Sequence, residues 1–256
     1  MKRSRTPWVT TAAVLTFFYL PVVVLVANSF NASRFGGSWE GFTLEWYRRL
    51  VAQREIWMAL RNTFVVAVSA TAISTVVGTS AAFALHRYRG RLQKVHYLLV
   101  YTPLVIPEIL MGIGLLLFFV TVGLRLGLLT VALSHVTFCI SYVAFVVLGR
   151  LQDFDWSLVE AAQDLGATPW AAFRKVVLPS LAPGIAAGAL LAFTLSIDDF
   201  VITFFTAGPG STTLPVRIYS MIKHGSPALI NALSTLLLLV TFTTVWLSQR
   251  LTGEKR

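Results

Sequence analysis

Six long apolar stretches dominate this sequence and limit what the chain can fold into. Each runs for about 20 residues or more, the length that a helix needs to cross the hydrocarbon core of a bilayer. Helices are required there because no water is present to satisfy open backbone groups. The sequence therefore predicts an all-α integral membrane protein with six transmembrane helices in a single domain, residues 1–256. The predicted spans are 8–30, 62–85, 97–122, 128–149, 184–206 and 228–248.

Composition supports a membrane location and argues against an ordinary soluble enzyme. Hydrophobic residues make up 56% of the 256 residues and charged residues only 12%, whereas a soluble domain carries about 25% charged residues. The net charge of +10 is spread between the apolar stretches rather than gathered on one face. That distribution favours a membrane over nucleic acid as the partner. The single cysteine, Cys139, excludes an intrachain disulfide.

The distribution of basic residues predicts the orientation of the chain in the membrane. With the N-terminus in the cytoplasm, 13 of the 21 Lys and Arg residues lie in inner segments and 8 in outer loops. The clearest inner loop is 86–94, with four basic and no acidic residues. We therefore expect both termini in the cytoplasm. The first span has an apolar part longer than the core of a secretory signal, so we expect an uncleaved anchor there.

Three carboxylates interrupt the predicted spans. Asp198 and Asp199 lie in the fifth span, and Glu108 lies in the third, where Pro103 and Pro107 are expected to kink or locally open the helix. A charge at the bilayer centre costs at least about 2.5 kcal/mol on insertion scales. Because no Lys or Arg lies in a span core, neutralisation would need an interfacial side chain or another subunit. The carboxylates are either protonated or paired, or they line a water-filled path for a cation. We favour the path for the two aspartates and leave both alternatives open for Glu108.

The longest inner segment, residues 150–182, is predicted to form two short helices. Ser157 and Glu160 fit a capping box at the start of the first helix, and Gly166 suits its C-terminal end. Thr168 is placed to cap the second helix, which is expected to end before Pro179. Such a compact helix pair either packs under its own bundle or docks on another protein.

This segment also carries a motif with a known resemblance. The run Glu160-Ala161-Ala162, then Gly166 four residues later, then Leu178-Pro179 resembles the EAA motif of binding-protein-dependent ABC import permeases. The family pattern has isoleucine where this chain has Val176. In that family the segment docks on a cytoplasmic ATPase, and we call residues 150–182 the coupling loop. The resemblance implies coupling roles for Glu160, Ala161, Ala162, Gly166, Leu178 and Pro179.

The chain lacks a nucleotide site of its own at the level of sequence. The phosphate-binding pattern Gly-x4-Gly-Lys-Ser/Thr is absent, and no nucleophile–base pair is evident. We therefore expect a transport subunit that is not an enzyme and holds no cofactor, with ATP and Mg²⁺ bound to a separate ATPase.

Further motifs point to one branch of the family. Residues 42–47, 196–201, 208–209 and 214–221 resemble the second permease subunit of spermidine/putrescine importers. The resemblance implies a type I ABC importer permease in the bacterial inner membrane, surrounded by lipid. It also implies a homologous permease, two ATPase subunits and a periplasmic or lipid-anchored binding protein as partners, with alternating access as the mechanism. Polyamines carry several ammonium groups at pH 7, for which buried carboxylates are a suitable counter-charge. The alternatives are an importer of another small solute and an ATP-independent channel or carrier, which the coupling motif argues against.

The remaining candidates are weaker. Residues 43–51 and 214–222 are predicted as short amphipathic outer helices. They either lie at the membrane interface, anchored by Trp46 or Tyr219, or dock an outside partner. Gly184 and Gly188 are spaced for close helix packing. The histidines show no metal-ligand spacing, so no metal site is expected. They are His86, His96, His135 and His224.

Overall fold

The computed structural model of the protein describes residues 6–87, 90 and 92–253. Within these ranges the chain is helical, with a single β-bridge between Asn31 and Phe42. Five helices are long and apolar enough to cross a membrane, and a sixth span results if one bent helix pair is counted as a unit. The predicted all-α membrane class is thus confirmed. The helices are α1 Thr6–Asn28, α2 Glu45–Ala52, α3 Arg54–Arg87, α4 Gln93–Val105, α5 Glu108–Thr121, α6 Leu128–Gln152, α7 Ser157–Asp164, α8 Pro169–Ala172, α9 Leu178–Asp198, α10 Val201–Thr206, α11 Leu214–Lys223 and α12 Pro227–Gly253.

The described residues pack as two compact units, while the single domain proposed from the sequence stays a prediction. The first unit comprises the described parts of Met1–Trp57 and Arg217–Arg256, where α12 packs against α1 and α2. The second unit is Met58–Val216, where α6 packs against α4, α5, α9 and α10. Helix α6 supplies most of the large buried side chains of this unit, among them Val131, Val143, Val147 and Leu151.

Glycines let neighbouring helices approach α6 closely. A Cβ added to Gly188 of α9 would lie 3.4 Å from Val143, and one added to Gly184 would lie 2.5 Å from Cγ of Arg150. The packing role predicted for this glycine pair is therefore confirmed. Gly78 of α3 behaves in the same way, since its added Cβ would lie 2.8 Å from the carbonyl oxygen of Ile140.

The third predicted span, 97–122, is broken at Ile106 and Pro107 into the helices α4 and α5. Ile106 is extended, with φ −69° and ψ 133°, as steric clash with a following proline favours. The chain bends by 115° between α4 and α5. The prolines were expected to kink or locally open the helix, and at Pro107 the helix is open. Pro103, by contrast, lies within α4.

The fifth predicted span, 184–206, also differs from a single helix. Helix α9 ends at Asp198, Asp199 is extended with φ −60° and ψ 126°, and α10 resumes at Val201. The reason is local, because the Asp199 carboxylate accepts hydrogen bonds from backbone N–H groups of α10 and so favours a new helix start. A second break in the membrane-spanning bundle results.

The coupling loop contains the two predicted helices, although their ends differ from expectation. Helix α7 is followed by Gly166 at φ 86°, and Thr168 Oγ1 accepts the N–H of Ala171 to cap α8, both as predicted. The second helix does not end before Pro179. It continues through a π-helical turn, Phe173–Val177, into α9, where Pro179 occupies the first turn and its missing N–H is tolerated.

Helices α2 and α11 confirm the two predicted amphipathic segments. Trp46 is buried and donates from its indole nitrogen to the carbonyl of Asn31 at 2.8 Å, so it packs within the protein instead of anchoring at the interface. Several basic residues used for the orientation lie outside the described residues, and the orientation stays a prediction. They are Lys2, Arg3, Arg5, Arg89, Arg91, Lys255 and Arg256.

Candidate functional site

A cavity of about 470 Å³ lies in the second unit, where the break between α4 and α5 and the break between α9 and α10 both reach α6. All three carboxylates that the sequence places in spans line it, namely Glu108, Asp198 and Asp199. The charged residues among its described lining are all acidic. The other lining residues are Pro103, Leu104, Ile106, Pro107, Met111, Phe138, Tyr142, Leu195, Phe200, Val201 and Ile202.

Glu108 reaches the cavity because the proline break makes it the first residue of α5. Its carboxylate therefore sits at a helix N-terminus, where the partial positive charge of the helix dipole favours an anion. The residue is exposed within this chain, and no hydrogen bond or ion pair joins its side chain to another described residue.

Asp198 and Asp199 are adjacent in sequence but have different surroundings. Asp198 ends α9, is exposed, and makes no side-chain hydrogen bond or ion pair with the described residues. The side chain of Asp199 is only 6% exposed. Its Oδ2 accepts from the backbone N–H and the hydroxyl of Thr203 at 2.8 and 2.7 Å, and its Oδ1 accepts from the N–H of Ile202 at 3.3 Å. The carboxylate of Asp199 is thus held by the protein, whereas that of Asp198 is available at the cavity.

The partner of Asp199 is a histidine in the middle of a span. Nε2 of His135 lies 3.2 Å from Oδ2 of Asp199 and 2.8 Å from Oγ1 of Thr203. Nδ1 of the same ring lies 2.7 Å from Oγ of Ser196. Asp199 is therefore paired within its own chain, with an imidazole and a hydroxyl group. Sequence reasoning considered His135 only as a metal ligand and missed this role, since the residues it joins lie more than 60 positions away.

The cavity is chemically suited to a cation. Carboxylates of one sign in a cleft with low-dielectric walls raise the local concentration of positive ions. Phe138, Tyr142 and Phe200 add aromatic surface, and a ring face attracts an ammonium group by about 0.5–2 kcal/mol. A metal site is not indicated, because no group of three or more His, Cys, Asp or Glu residues in the described part of the chain could hold an ion.

The coupling loop has some side chains packed on the helical bundle and others exposed. Val159 and Phe173 pack against the buried core, and Trp156 stacks on His86. Leu165 is 90% exposed, and Trp170 is 69% exposed although its ring stacks on Phe173. Glu160, Ala161 and Gly166 of the motif are exposed and Ala162 is half-buried. Packing under its own bundle therefore describes only part of this loop.

The capping box at the start of α7 is wrong. Ser157 is the first residue of the helix, and its N–H donates to Oδ1 of Asp155 at 3.0 Å. Hydrogen bonds from the side chain and backbone of Ser157 hold the pKa of Asp155 below its usual value. Asp155 thus takes the capping role that the sequence pattern assigned to Ser157 and leaves Glu160 free on the exposed surface. The coupling roles of Glu160, Ala161, Ala162, Gly166, Leu178 and Pro179 stay predictions.

Comparison with known proteins identifies relatives of the whole chain. The family described as binding-protein-dependent transport system inner membrane component matches residues 74–252. The spermidine/putrescine transport system permease protein PotC of Escherichia coli K12 is 40% identical over 243 residues, covering 95% of this chain and 92% of the relative. PotC of Haemophilus influenzae is 39% identical, covering 94% of each chain. The putrescine transport system permease protein PotI of E. coli K12 is 41% identical, covering 91% of this chain and 86% of the relative.

Solved structures share the fold at low sequence identity. A chain of a bacterial ABC transporter involved in import of the acidic polysaccharide alginate matches with a TM-score of 0.74 at 15% identity, covering 98% of both chains. A chain of the MetNI methionine ABC transporter in an inward-facing conformation matches with a TM-score of 0.62 at 22% identity, covering 83% of this chain and 99% of that one. At these identities the likeness concerns the fold alone.

Proposed function

The chain belongs to the family of binding-protein-dependent transport system inner membrane components, and we propose that it is the permease subunit of an ABC importer for polyamines such as spermidine and putrescine. The observation that carries the proposal is the cavity lined by Glu108, Asp198 and Asp199, whose described lining contains no basic residue. The relatives named for spermidine and putrescine transport, which match along nearly the whole chain, support the choice of substrate.

The substrate path proposed here uses the three carboxylates unequally. Glu108 and Asp198 are exposed at the cavity without a partner among the described residues, so they are free to meet ammonium groups of the solute. Asp199 lines the same cavity but also accepts hydrogen bonds from α10, and its negative charge adds to the local field. A linear polyamine with two or more charged nitrogens would exchange its hydration for these carboxylates and for the aromatic lining.

Transport is proposed to proceed by alternating access driven by a separate ATPase. The binding protein delivers the solute to the outer face, and closure of two ATPase subunits moves the coupling loop. The exposed side chains of Leu165 and Trp170 support docking of another protein there. The packing of Val159 and Phe173 against the core supports transmission of that movement to the spans. The solute would pass between this subunit and a homologous permease, with both termini in the cytoplasm.

The test is uptake of labelled spermidine and putrescine by cells that carry or lack this gene. We expect saturable uptake only with the gene present, and competition by polyamines but not by methionine. Uptake of an unrelated solute through the same gene would favour an importer of another class. An ATPase that copurifies with the chain and is lost when Glu160 and Gly166 are replaced would support coupling, whereas uptake with no ATPase in native membranes would favour a channel or carrier.

A further inference from the structure

His135 of α6 joins both sides of the break between α9 and α10. The ring contacts Ser196 in the last turn of α9, Asp199 in the break and Thr203 in α10, at 2.7, 3.2 and 2.8 Å. The imidazole and Thr203 are fully buried, and Ser196 is 3% exposed. One side chain thus links the end of one helix, the connecting residues and the start of the next helix.

The ring and its three neighbours form one hydrogen-bonded group. Oγ1 of Thr203 donates to Oδ2 of Asp199 and lies 2.8 Å from Nε2 of His135, so this hydroxyl oxygen is free to accept from Nε2. Oγ of Ser196 lies 2.7 Å from Nδ1 on the other side of the ring. A fully satisfied buried network of this kind is rigid, and the broken segment is fixed by it.

The consequence concerns Asp198, which lies between two of the residues that the ring holds. Ser196 precedes it by two positions and Asp199 follows it directly. With both neighbours fixed, the backbone at Asp198 has little freedom, and its carboxylate is held at the cavity. A single carboxylate in a membrane path contributes most when its position is fixed in advance, because ordering it upon binding would consume binding energy.

We propose that His135 is a positioning residue for the cation path: its ring fixes the break between α9 and α10 so that Asp198 faces the cavity. This inference rests on the proposed function. His135 does not itself contact the solute, since its ring nitrogens are occupied by Ser196, Asp199 and Thr203. Its role is distinct from space filling, because an apolar side chain of similar size would fill the site but leave Asp199 and Ser196 without their partner.

Three substitutions separate positioning from packing. His135→Gln keeps a nitrogen near the place of Nε2 and so retains the link to Asp199 and Thr203. His135→Asn keeps a polar atom near Nδ1 and retains only the link to Ser196. His135→Leu removes both links. The matched control is the pair His96→Gln and His96→Leu, because His96 is exposed on α4 and lies outside the cavity lining.

The experiment measures initial rates of labelled spermidine uptake, normalised to the amount of chain in the membrane. We expect His135→Leu to raise KM up to about tenfold, because a loosened Asp198 would have to be ordered upon binding. His135→Gln should recover most of the wild-type KM, and His135→Asn should stay within threefold of the leucine variant. Both His96 variants should behave as wild type.

Several results would overturn this role for His135. An unchanged KM in His135→Leu, or equal KM values for His135→Gln and His135→Asn, contradicts positioning. If the leucine variant fails to accumulate in the membrane, the comparison of glutamine with asparagine decides alone, because both are polar and both fit the site. Absence of spermidine uptake by the wild type would instead contradict the proposed function, so the two failures are distinguishable.

Discussion

Neutralising Asp198 and neutralising Asp199 should affect different properties of the protein, although the residues are adjacent. The carboxylate of Asp199 is 6% exposed and accepts from Thr203 and Ile202. That of Asp198 is exposed at the cavity with no partner among the described residues. We therefore expect Asp199→Asn to destabilise the protein and Asp198→Asn to impair uptake while leaving stability nearly unchanged.

The size of the effect at Asp199 follows from its hydrogen bonds. An asparagine keeps an oxygen for Thr203 and His135 but places an NH₂ group where Oδ1 accepts from the N–H of Ile202 at 3.3 Å. Loss of a hydrogen bond to a charged group costs about 1.5–3 kcal/mol. Because the bond to Ile202 is long, the low end of about 1.5 kcal/mol applies. For a chain of this size that corresponds to a decrease in Tm of about 3–6 °C.

At Asp198 the substitution removes a hydrogen bond to the solute and none within the described part of the chain. An ammonium–carboxylate hydrogen bond contributes about 1.5–3 kcal/mol, so Asp198→Asn should raise KM for spermidine by about 10- to 100-fold. The free energy of unfolding should change by less than about 0.5 kcal/mol, as is usual for an exposed substitution.

The assay compares thermal unfolding of the purified complex in detergent with spermidine uptake per assembled complex. Asp198→Glu serves as the control for charge, since it keeps the carboxylate at nearly the same place. Equal decreases in Tm for Asp198→Asn and Asp199→Asn would refute the distinction drawn from their contacts. Unchanged uptake in both variants would remove these carboxylates from the substrate path.

Two glycines give further predictions. Gly78→Ala should destabilise the protein by about 1–3 kcal/mol, because the added Cβ would lie 2.8 Å from the carbonyl of Ile140. Gly149→Ala, whose Cβ meets nothing within 4 Å, should be neutral or slightly stabilising, and equal Tm values for the two would contradict the packing described. Gly166→Val should reduce the ATPase that copurifies more than Gly166→Asn does, since φ is 86° and asparagine tolerates that conformation better. Equal recovery of the ATPase from both variants would show that the conformation of this turn does not affect docking of the ATPase.

The architecture was largely predictable because long apolar stretches permit few structures in a bilayer. The breaks were predictable only in part. Pro107 marks a weak point in any helix, but the 115° angle between α4 and α5 depends on what each helix packs against. The end of α9 at Asp198 depends on the Asp199 side chain bonding to α10, which competes with continuation of an otherwise favourable helix.

The candidate site was also predictable only in part. The free-energy cost of a charged side chain in the membrane marks the three carboxylates as functional candidates from the sequence alone. The structure brings all three to one cavity. The distinction between Asp198 and Asp199 could not be predicted. It rests on the hydrogen bonds of Asp199 to α10 and on its contact with His135, a residue 64 positions away with no distinguishing local pattern. Capping at α7 differed for a simpler reason: the helix starts one residue earlier than Ser157 requires, so Asp155 is the side chain in reach.

We propose that this chain carries polyamines past the carboxylates of its cavity when a partner ATPase hydrolyses ATP. The most direct measurement is ATP-dependent uptake of labelled spermidine into proteoliposomes that contain the assembled transporter and its binding protein. We predict uptake that needs ATP inside the vesicles and falls at least tenfold in a Glu108→Gln, Asp198→Asn double variant that still assembles and binds the ATPase. Uptake at the wild-type rate by that double variant would contradict the account.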